Sequence, residues 1–401
     1  MGSRAVTERA AGGARGALVG AAFLMATSAV GPGFLTQTAL FTAQLGASFG
    51  FAILCSVLLD LAAQLTVWRV LVAAGRPAGS VADAVVPGLG RVLAWAVAAG
   101  GLAFNVGNVA GAGLGLQAML GLPVALGAAA SAALAAALFL RPAAGGAVDR
   151  FAAAAGFVML ALIAAVVAAA RPPLGEAFLR TVAPARVDPL AVVTLVGGTV
   201  GGYITFAGAH RLLDAGVRGP AAVPRATRAA VLGIGVASLV RVGLFLAALG
   251  VVAAGQRIDP ANPPASVFRL ALGGAGMRLF GLLMWAAAVT SVVGSAYTSV
   301  SFLRGVVPAA ERRPRAAVVL FVAASALVFL LVGRPVRVLV LAGAVNGWIL
   351  PLGLAAVLLA VRRPAVVGAY RHPAWLAAAG WLTVLGMSGL ALWTVWRALG
   401  G

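Results

Sequence analysis

Residues 197–216 read GGTVGGYITFAGAHRLLDAG. An apolar run from Leu190 to Val200 leads into them, and Gly201 and Gly202 then stand where a helix should continue, each costing about 1 kcal/mol relative to alanine. Polar side chains follow at unusual density: Tyr203, Thr205, His210, Arg211 and Asp214. The pattern predicts a helix broken inside a membrane, with a second half-helix carrying these groups. Irregular backbone at bilayer depth survives only where protein buries it or where it lines a watery cavity, so the break marks a binding cavity.

Composition agrees with a membrane setting. The chain is 62% hydrophobic and 9% charged with a mean hydropathy of +1.06, and its apolar runs repeatedly exceed the ~20 residues that cross a bilayer. This is the pattern of an all-α polytopic membrane protein whose first partner is the lipid bilayer. A net charge of +20 would suggest nucleic acid in a soluble protein; here the placement of the charge reads instead as membrane orientation, and no nucleic-acid partner is expected. All 29 basic residues are Arg. The single cysteine, Cys55, lies mid-span, so no intramolecular disulfide forms. No H-E-x-x-H, paired-aspartate or G-x-S-x-G motif occurs, and the two histidines, His210 and His372, leave few candidates for acid–base chemistry. Neither an enzyme nor a resident cofactor or metal is expected.

After a tail at 1–16, eleven spans are read at about 17–44, 46–73, 91–119, 122–140, 149–170, 190–216, 229–254, 276–304, 315–333, 336–361 and 374–397. Alternating the connecting loops between the two sides puts 19 Arg on one face and nine on the other, with Arg241 inside a span. By the positive-inside rule the N-terminus is cytoplasmic, in a bacterial-type plasma membrane.

The first span is broken too. Gly31-Pro32-Gly33 interrupts the apolar stretch 17–30, and the span resumes through Phe34, Thr36, Gln37, Thr38, Thr42 and Gln44; proline removes a donor and crowds the preceding turn. Each interrupted span opens a set of five. Corresponding breaks in two halves point to an inverted-repeat transporter working by alternating access, its site at the bilayer midplane. The organisation expected is a cytoplasmic tail at 1–16, five-helix repeats at 17–170 and 190–361 separated by an extracellular loop at 171–189, and a cytoplasmic loop with the eleventh helix at 362–401.

At this point the sequence resembles a known family. GPGF at 31–34, GASFG at 46–50 and GGTV at 197–200 resemble the natural resistance-associated macrophage protein (NRAMP) group of metal transporters. The resemblance implies a leucine-transporter-like fold of the APC superfamily, with discontinuous first and sixth helices. In that family the first break reads Asp-Pro-Gly-Asn and the sixth-span break contains Met-Pro-His, and Asp, Asn and Met hold a transition metal. Here Gly31 replaces the Asp, Phe34 the Asn, Gly201 the Met, Gly202 the Pro and Tyr203 the His. The spacing from Gly31 to Gly46 exceeds the family's by about one helical turn. No Asp or Glu lies between Glu8 and Asp60, so every register leaves the first span without a carboxylate. The family's later histidine on the sixth span falls two positions before His210.

The residues at the breaks suit different chemistry. Divalent cations need carboxylates, or thioether and imidazole ligands for transition metals. Half-helix N-termini near Phe34 and Tyr203 instead present backbone N–H groups to an anion. Gly31, Gly33, Phe34, Thr36, Gln37, Thr38, Gly201, Gly202, Tyr203 and Thr205 are therefore the candidate substrate contacts, for a small organic acid or zwitterion, with a divalent ion such as Mg²⁺ or Mn²⁺ as the alternative. Asp60, midway along the second span, has Arg241 as its embedded partner of opposite charge; the two are read as a coupling or gating pair, or as a structural ion pair. His210 and Asp214, at i and i+4, form a candidate relay for a coupling proton or cation, or a cap at the end of the span. Gly107, Gly111 and Gly115 form a close-packing stripe. Asn105, Asn108, Ser291, Ser295 and Asn346 are candidate pathway-lining groups or interhelical glue.

Overall fold

A computed structural model describes residues 31–140 and 145–398. The tail 1–16 and the first half of the opening span, 17–30, lie outside the described residues. Every regular element described is helical: α1 (Pro32–Leu45), a 3-10 turn, α2 (Phe49–Ala74), α3 (Ala78–Val85), α4 (Leu89–Leu120), α5 (Val124–Leu140), α6 (Gly145–Ala170), α7 (Leu174–Val182), α8 (Pro189–Val200), α9 (Ile204–Asp214), α10 (Val223–Ala253), α11 (Pro263–Arg304), α12 (Pro308–Arg312), α13 (Pro314–Val332), α14 (Pro335–Ala360), α15 (Pro364–Val367) and α16 (Ala374–Ala398).

Among the described residues, eight stretches are long and apolar enough to cross a bilayer, nine with the pair α6 and α7, which is bent by 108°. This takes α1 and α2 as one stretch, Pro32–Ala74, and leaves out α5 as too short. Taken separately, α1, α2 and α5 fall on the first, second and fourth of the eleven predicted segments, the first only over its described second half. Gly46, at φ 57°, makes the turn between α1 and α2 that an L side chain would strain. Outward-facing leucines such as Leu331, Leu382 and Leu392 are exposed, as suits a surface solvated by hydrocarbon.

Two details differ from the sequence reading. The first half-helix starts at Pro32 rather than near Phe34, because a proline at the first helical position gives up an N–H that has no intrahelical partner anyway. The eighth span also extends backwards through Pro263–Arg304, with Gly273 at φ 71° and ψ −165° separating an entry helix from the span proper.

Glycine decides how closely the helices pack. A Cβ at Gly107 would touch Leu339 and Ala342 of α14, one at Gly111 would run into Pro32 of α1, and one at Gly115 would meet the backbone of Gly281 and Trp285 on α11. The stripe on α4 thus receives three different helices, and its middle member seats the start of α1. Between α8 and α14 the approach is closer still, with Gly197 lying against the backbone of Gly343 and Gly347, and Gly343 and Gly347 against the carbonyls of Thr194 and Val193.

The loop between α14 and α16 is pinned to α2. Arg69 Nε donates to the Tyr370 hydroxyl at 3.0 Å, and that hydroxyl lies 2.9 Å from His372 Nδ1. Burial, and then the nearby Arg69 guanidinium, hold the His372 pKa down at about 4.

Two outcomes follow from these contacts. Gly343→Leu forces a side chain against the α8 backbone and should cost at least the about 1–3 kcal/mol typical of overpacking, read as a lower melting temperature in detergent. The His372 imidazole is neutral in the fold down to about pH 4, whereas an unfolded histidine takes its proton near pH 6.5. The unfolded state therefore binds more protons between those values, so this contribution to stability is complete above about pH 6.5 and is lost progressively towards pH 4. His372→Gln should remove that part of the pH dependence in a thermal-shift series.

Candidate functional site

The polar interior is built around the end of α8. Its last residue is Val200; Gly201 leaves the helix at φ −49° and ψ 164°, and α9 begins at Ile204 with Tyr203 as its N-cap. Two backbone donors released by the break go to a single residue of α14. Gly202 N–H donates to the Asn346 carbonyl at 3.1 Å, and Tyr203 N–H to Asn346 Oδ1 at 3.4 Å. The Asn346 amide nitrogen in turn donates to the carbonyls of Gly100, at 2.8 Å, and Ala342, at 3.0 Å. Asn346 is fully buried and joins α4, α14 and both halves of the broken span. Gly201 packs on its Cβ, and Gly202 on Ile349 one turn further along.

This corrects the expectation that both half-helices offer free N–H groups. At α9 the donors of Gly202 and Tyr203 are taken by protein, because the main-chain carbonyl of Asn346 accepts the first and its carboxamide, 143 positions from Tyr203, the second. Thr205 donates to the Val200 carbonyl across the break, and its own carbonyl receives the indole N–H of Trp68 at 2.9 Å. The Tyr203 ring lies 5.6 Å from that of Phe104.

The start of α1 is different. Gly31 precedes it with extended backbone, and the helical ladder opens with Leu35 N–H donating to the Gly31 carbonyl at 3.2 Å. The N–H groups of Gly33 and Phe34 stand ahead of that ladder. Beside them is a cavity lined by Gly33, Gln37, Phe104, Gly107, Asn108, Leu339, Ala342 and Gly343, with about 10 Å³ open to the centre of a water. That is room for one water-sized occupant. Gln37 Nε2 donates to the Leu339 carbonyl at 2.8 Å. Asn108 Nδ2 is buried and has no hydrogen-bond partner among the described residues. Thr38 donates back to the Phe34 carbonyl, whereas buried Thr36 Oγ1 has no such partner.

On the other side of Phe34 lies the ion pair expected from the sequence. Arg241 Nη1 is 3.6 Å from Asp60 Oδ2, and both side chains are buried. Ser56 bridges them, accepting from Arg241 Nη1 and donating to Asp60 Oδ2. The guanidinium carbon stands 4.7 Å from the centre of the Phe34 ring, and Thr199, on the last turn of α8, is beside the carboxylate.

Other candidates are distributed elsewhere. Ser295 donates to Asn105 Oδ1 at 2.7 Å and Asn105 Nδ2 to Ser325 at 3.1 Å, a chain joining α11, α4 and α13. Ser291 is buried one turn before Ser295. His210 Nε2 accepts from the Ala78 N–H at 3.1 Å, capping the first turn of α3, and its ring stacks on Phe302 at 4.4 Å. Asp214 is exposed at the end of α9. His210 Nε2 is thereby engaged by the backbone of α3, a helix other than its own. Asn346 as the clasp of the break, and Gln37 with Asn108 as the walls of a cavity, become apparent only in three dimensions; Trp68 carried no sequence signal at all.

A span broken after Val200 and a half-helix that starts at Pro32, in a bundle of bilayer-length apolar helices, are features of the leucine-transporter-like fold of membrane transporters. Residues 22–397 match the family described as natural resistance-associated macrophage protein-like (Nramp), and the chain belongs to that family. It is 51% identical to the uncharacterized membrane protein YcsG of Bacillus subtilis, covering 94% of each chain. It is also 51% identical to an uncharacterized membrane protein of Haemophilus influenzae, over 93% of this chain and 94% of that one. Among solved structures it resembles the Eremococcus coleocola manganese transporter in complex with an aromatic bis-isothiourea substituted compound, at a TM-score of 0.73 and 14% identity, over 94% of this chain and 86% of that one. It also resembles MhsT in complex with L-phenylalanine, at a TM-score of 0.67 and 17% identity, over 94% and 95% of the two chains.

Asn346→Ala tests the clasp. Removing the carboxamide leaves the Tyr203 N–H without a buried acceptor, at a cost of about 1–3 kcal/mol. The expected result is faster hydrogen–deuterium exchange at Tyr203 with a lower melting temperature, while exchange at the mid-α10 amides stays slow.

Proposed function

We propose that this protein is a secondary transporter that carries a small organic acid or zwitterion by alternating access, holding the carboxylate at the start of α1. The observation that carries this reading is the cavity beside Gly33. Its polar walls are two neutral carboxamides, Gln37 and Asn108, and Asn108 Nδ2 is a buried donor without a partner. Gly33 of the first helical turn lines it, and the field at a helix N-terminus favours negative charge. Among the described residues no three His, Cys, Asp or Glu side chains gather as metal ligands would. A dehydrated divalent ion there would meet carboxamides and carbonyls alone, without the anionic compensation such ions need. The cavity in this state holds only one water-sized occupant, so the solute enters as α1 and α14 separate.

In this scheme the helices of 17–170 and 190–361 act as two repeats rocking about the site, with the Arg-rich face and the N-terminus cytoplasmic. MhsT, which shares the fold, is described with a bound amino acid. The second reading, a divalent metal cation as substrate, draws on the other fold relative, a manganese transporter.

Uptake into proteoliposomes distinguishes the two. Competition among radiolabelled small carboxylates and amino acids should identify a saturable substrate, and Mn²⁺ and Mg²⁺ should not compete. Asn108→Leu should raise its KM about tenfold or more, as expected when a donor to a charged group worth about 1.5–3 kcal/mol is lost. Saturable Mn²⁺ uptake, blocked by substitution at Gly31 or Gly201 and indifferent to carboxylates, would replace this reading with the metal one.

A further inference from the structure

Apart from the cavity, the most unusual feature of the interior is how incompletely the buried pair is satisfied. Arg241 and Asp60 are 1% and 2% exposed, depths at which charged groups are normally hydrogen-bonded on every side. Yet Arg241 Nε and Nη2 have no partner among the described residues, and neither does Asp60 Oδ1. The two meet only at Nη1 and Oδ2, at 3.6 Å and through Ser56. The unpartnered Nε and Nη2 atoms form the planar edge of a guanidinium that grips a carboxylate or another small anion with two parallel N–H groups.

The charges around the pair leave no substitute for either member. Of the elements packed against α2 and α10, α1 and α8 contain no ionisable side chain. The others carry theirs elsewhere along the sequence: Glu176 and Arg180 on α7, Asp83 on α3, His210, Arg211 and Asp214 on α9, Arg337 at the start of α14, and Arg397 at the end of α16. On α10 itself Arg225 and Arg228 belong to the first two turns, more than ten residues before Arg241. On α11 the basic groups are Arg269, Arg278 and Arg304, and on α6 Asp149 and Arg150. On α2 itself Arg69 lies nine residues beyond Asp60 and donates to Tyr370. Among the described residues Arg241 is thus the one charge that faces Asp60, and a net charge left on the pair would be expensive at this depth.

We infer that Asp60 and Arg241 form a linked site for a proton and a small monovalent anion. The proton comes from hydronium or a buffer acid, whose bond to hydrogen breaks as an O–H bond forms at Oδ1, converting the carboxylate to the acid and leaving water or the buffer base in solution. Arg241 then loses its counter-ion, and the anion replaces it along the Nε–Nη2 edge. One positive and one negative charge arrive together, so the pair stays neutral in both states and no third reactant is needed. Phe34 under the guanidinium and Thr199 beside the carboxylate belong to the turns flanking the two breaks, so the exchange acts directly on both broken helices. As a coupling device the site rests on the reading of the protein as a carboxylate transporter: the solute's carboxylate, first held at the start of α1, moves to the Arg241 edge as the proton arrives, giving electroneutral proton–carboxylate symport. As a binding site it does not.

The test uses the full-length protein in detergent, titrated with chloride or with acetate by calorimetry in two buffers of different ionisation enthalpy. Anion binding in the wild type should take up about one proton. Asp60→Asn, which imposes the neutral form, should bind the same anion with no proton uptake, and Arg241→Gln should abolish binding. The double variant Asp60→Asn with Arg241→Gln removes both charges together; its circular dichroism and melting profile establish that loss of binding is not loss of fold. Binding of acetate without chloride identifies the anion as the carboxylate solute, whereas equal binding of both identifies a separate small-anion site. The inference is overturned by anion binding without proton uptake in the wild type, by binding that survives Arg241→Gln, or by no anion binding in either the wild type or Asp60→Asn. Chloride-linked proton uptake in a protein that transports no carboxylate would retire the transport reading and leave this site standing.

Discussion

A backbone that stops being helical inside hydrocarbon must find hydrogen-bond partners within the protein, since each unsatisfied group costs several kcal/mol there. At the break after Val200 the partner is Asn346. One residue supplies both a main-chain and a side-chain acceptor to consecutive N–H groups, and its own amide hydrogens are held by the carbonyls of Gly100 and Ala342. This arrangement requires α14 to approach α8 at backbone distance, which explains glycine at 197, 343 and 347 on the two facing surfaces. It also requires α4 to lie close, and Gly100 provides both the carbonyl and the room.

The starts of α9 and α1 are therefore not equivalent. The first, after the break that follows Val200, is closed by protein, through Asn346, Thr205 and the indole of Trp68. The second borders the cavity, with Pro32 seated on Gly111 and Gln37 tied to Leu339. Two features connect them: Phe104 lines the cavity and packs on Tyr203, and Ala342 and Gly343 line the cavity one turn before Asn346. Any movement of α14 that enlarges the cavity pulls at the clasp as well. Solute entry and release of the broken helix are in this way mechanically joined.

Local patterns carried the architecture. Gly201-Gly202 announced the break after Val200 and Gly31-Pro32-Gly33 the start of α1, apolar run length gave the spans, and the four-residue glycine period on α4 gave a packing face. Each is a property of contiguous residues, so a single sequence suffices to read it. The partners could not be read the same way. Asn346 stood out as a polar residue in an apolar span, but its link to Tyr203 spans 143 residues. The donors of α9, expected to be open, proved closed for that reason. His210 and Asp214 share a helical face by spacing, yet an N–H from α3, an element with no periodic signal of its own, claimed the imidazole. Asp60 and Arg241 were easier to pair, because so few charges are embedded that electrostatics leaves little choice.

That scarcity bears on what the interior can carry. A metal site concentrates several anionic or soft ligands, and its negative charge is offset when the cation enters. By the motif resemblance, Gly31 and Phe34 stand where the family has its two ligands of the first break, and Gly201 where it has the methionine of the second. The remaining embedded carboxylate is already balanced by an arginine. A solute bearing its own compensating charges, or one arriving with a proton, disturbs such an interior least, because the low dielectric penalises an imbalance rather than the presence of charge as such. Neutral carboxamides at the cavity and a self-neutralising pair behind it are two solutions to the same constraint. Both let polar cargo pass through a bundle that keeps no net charge at its centre.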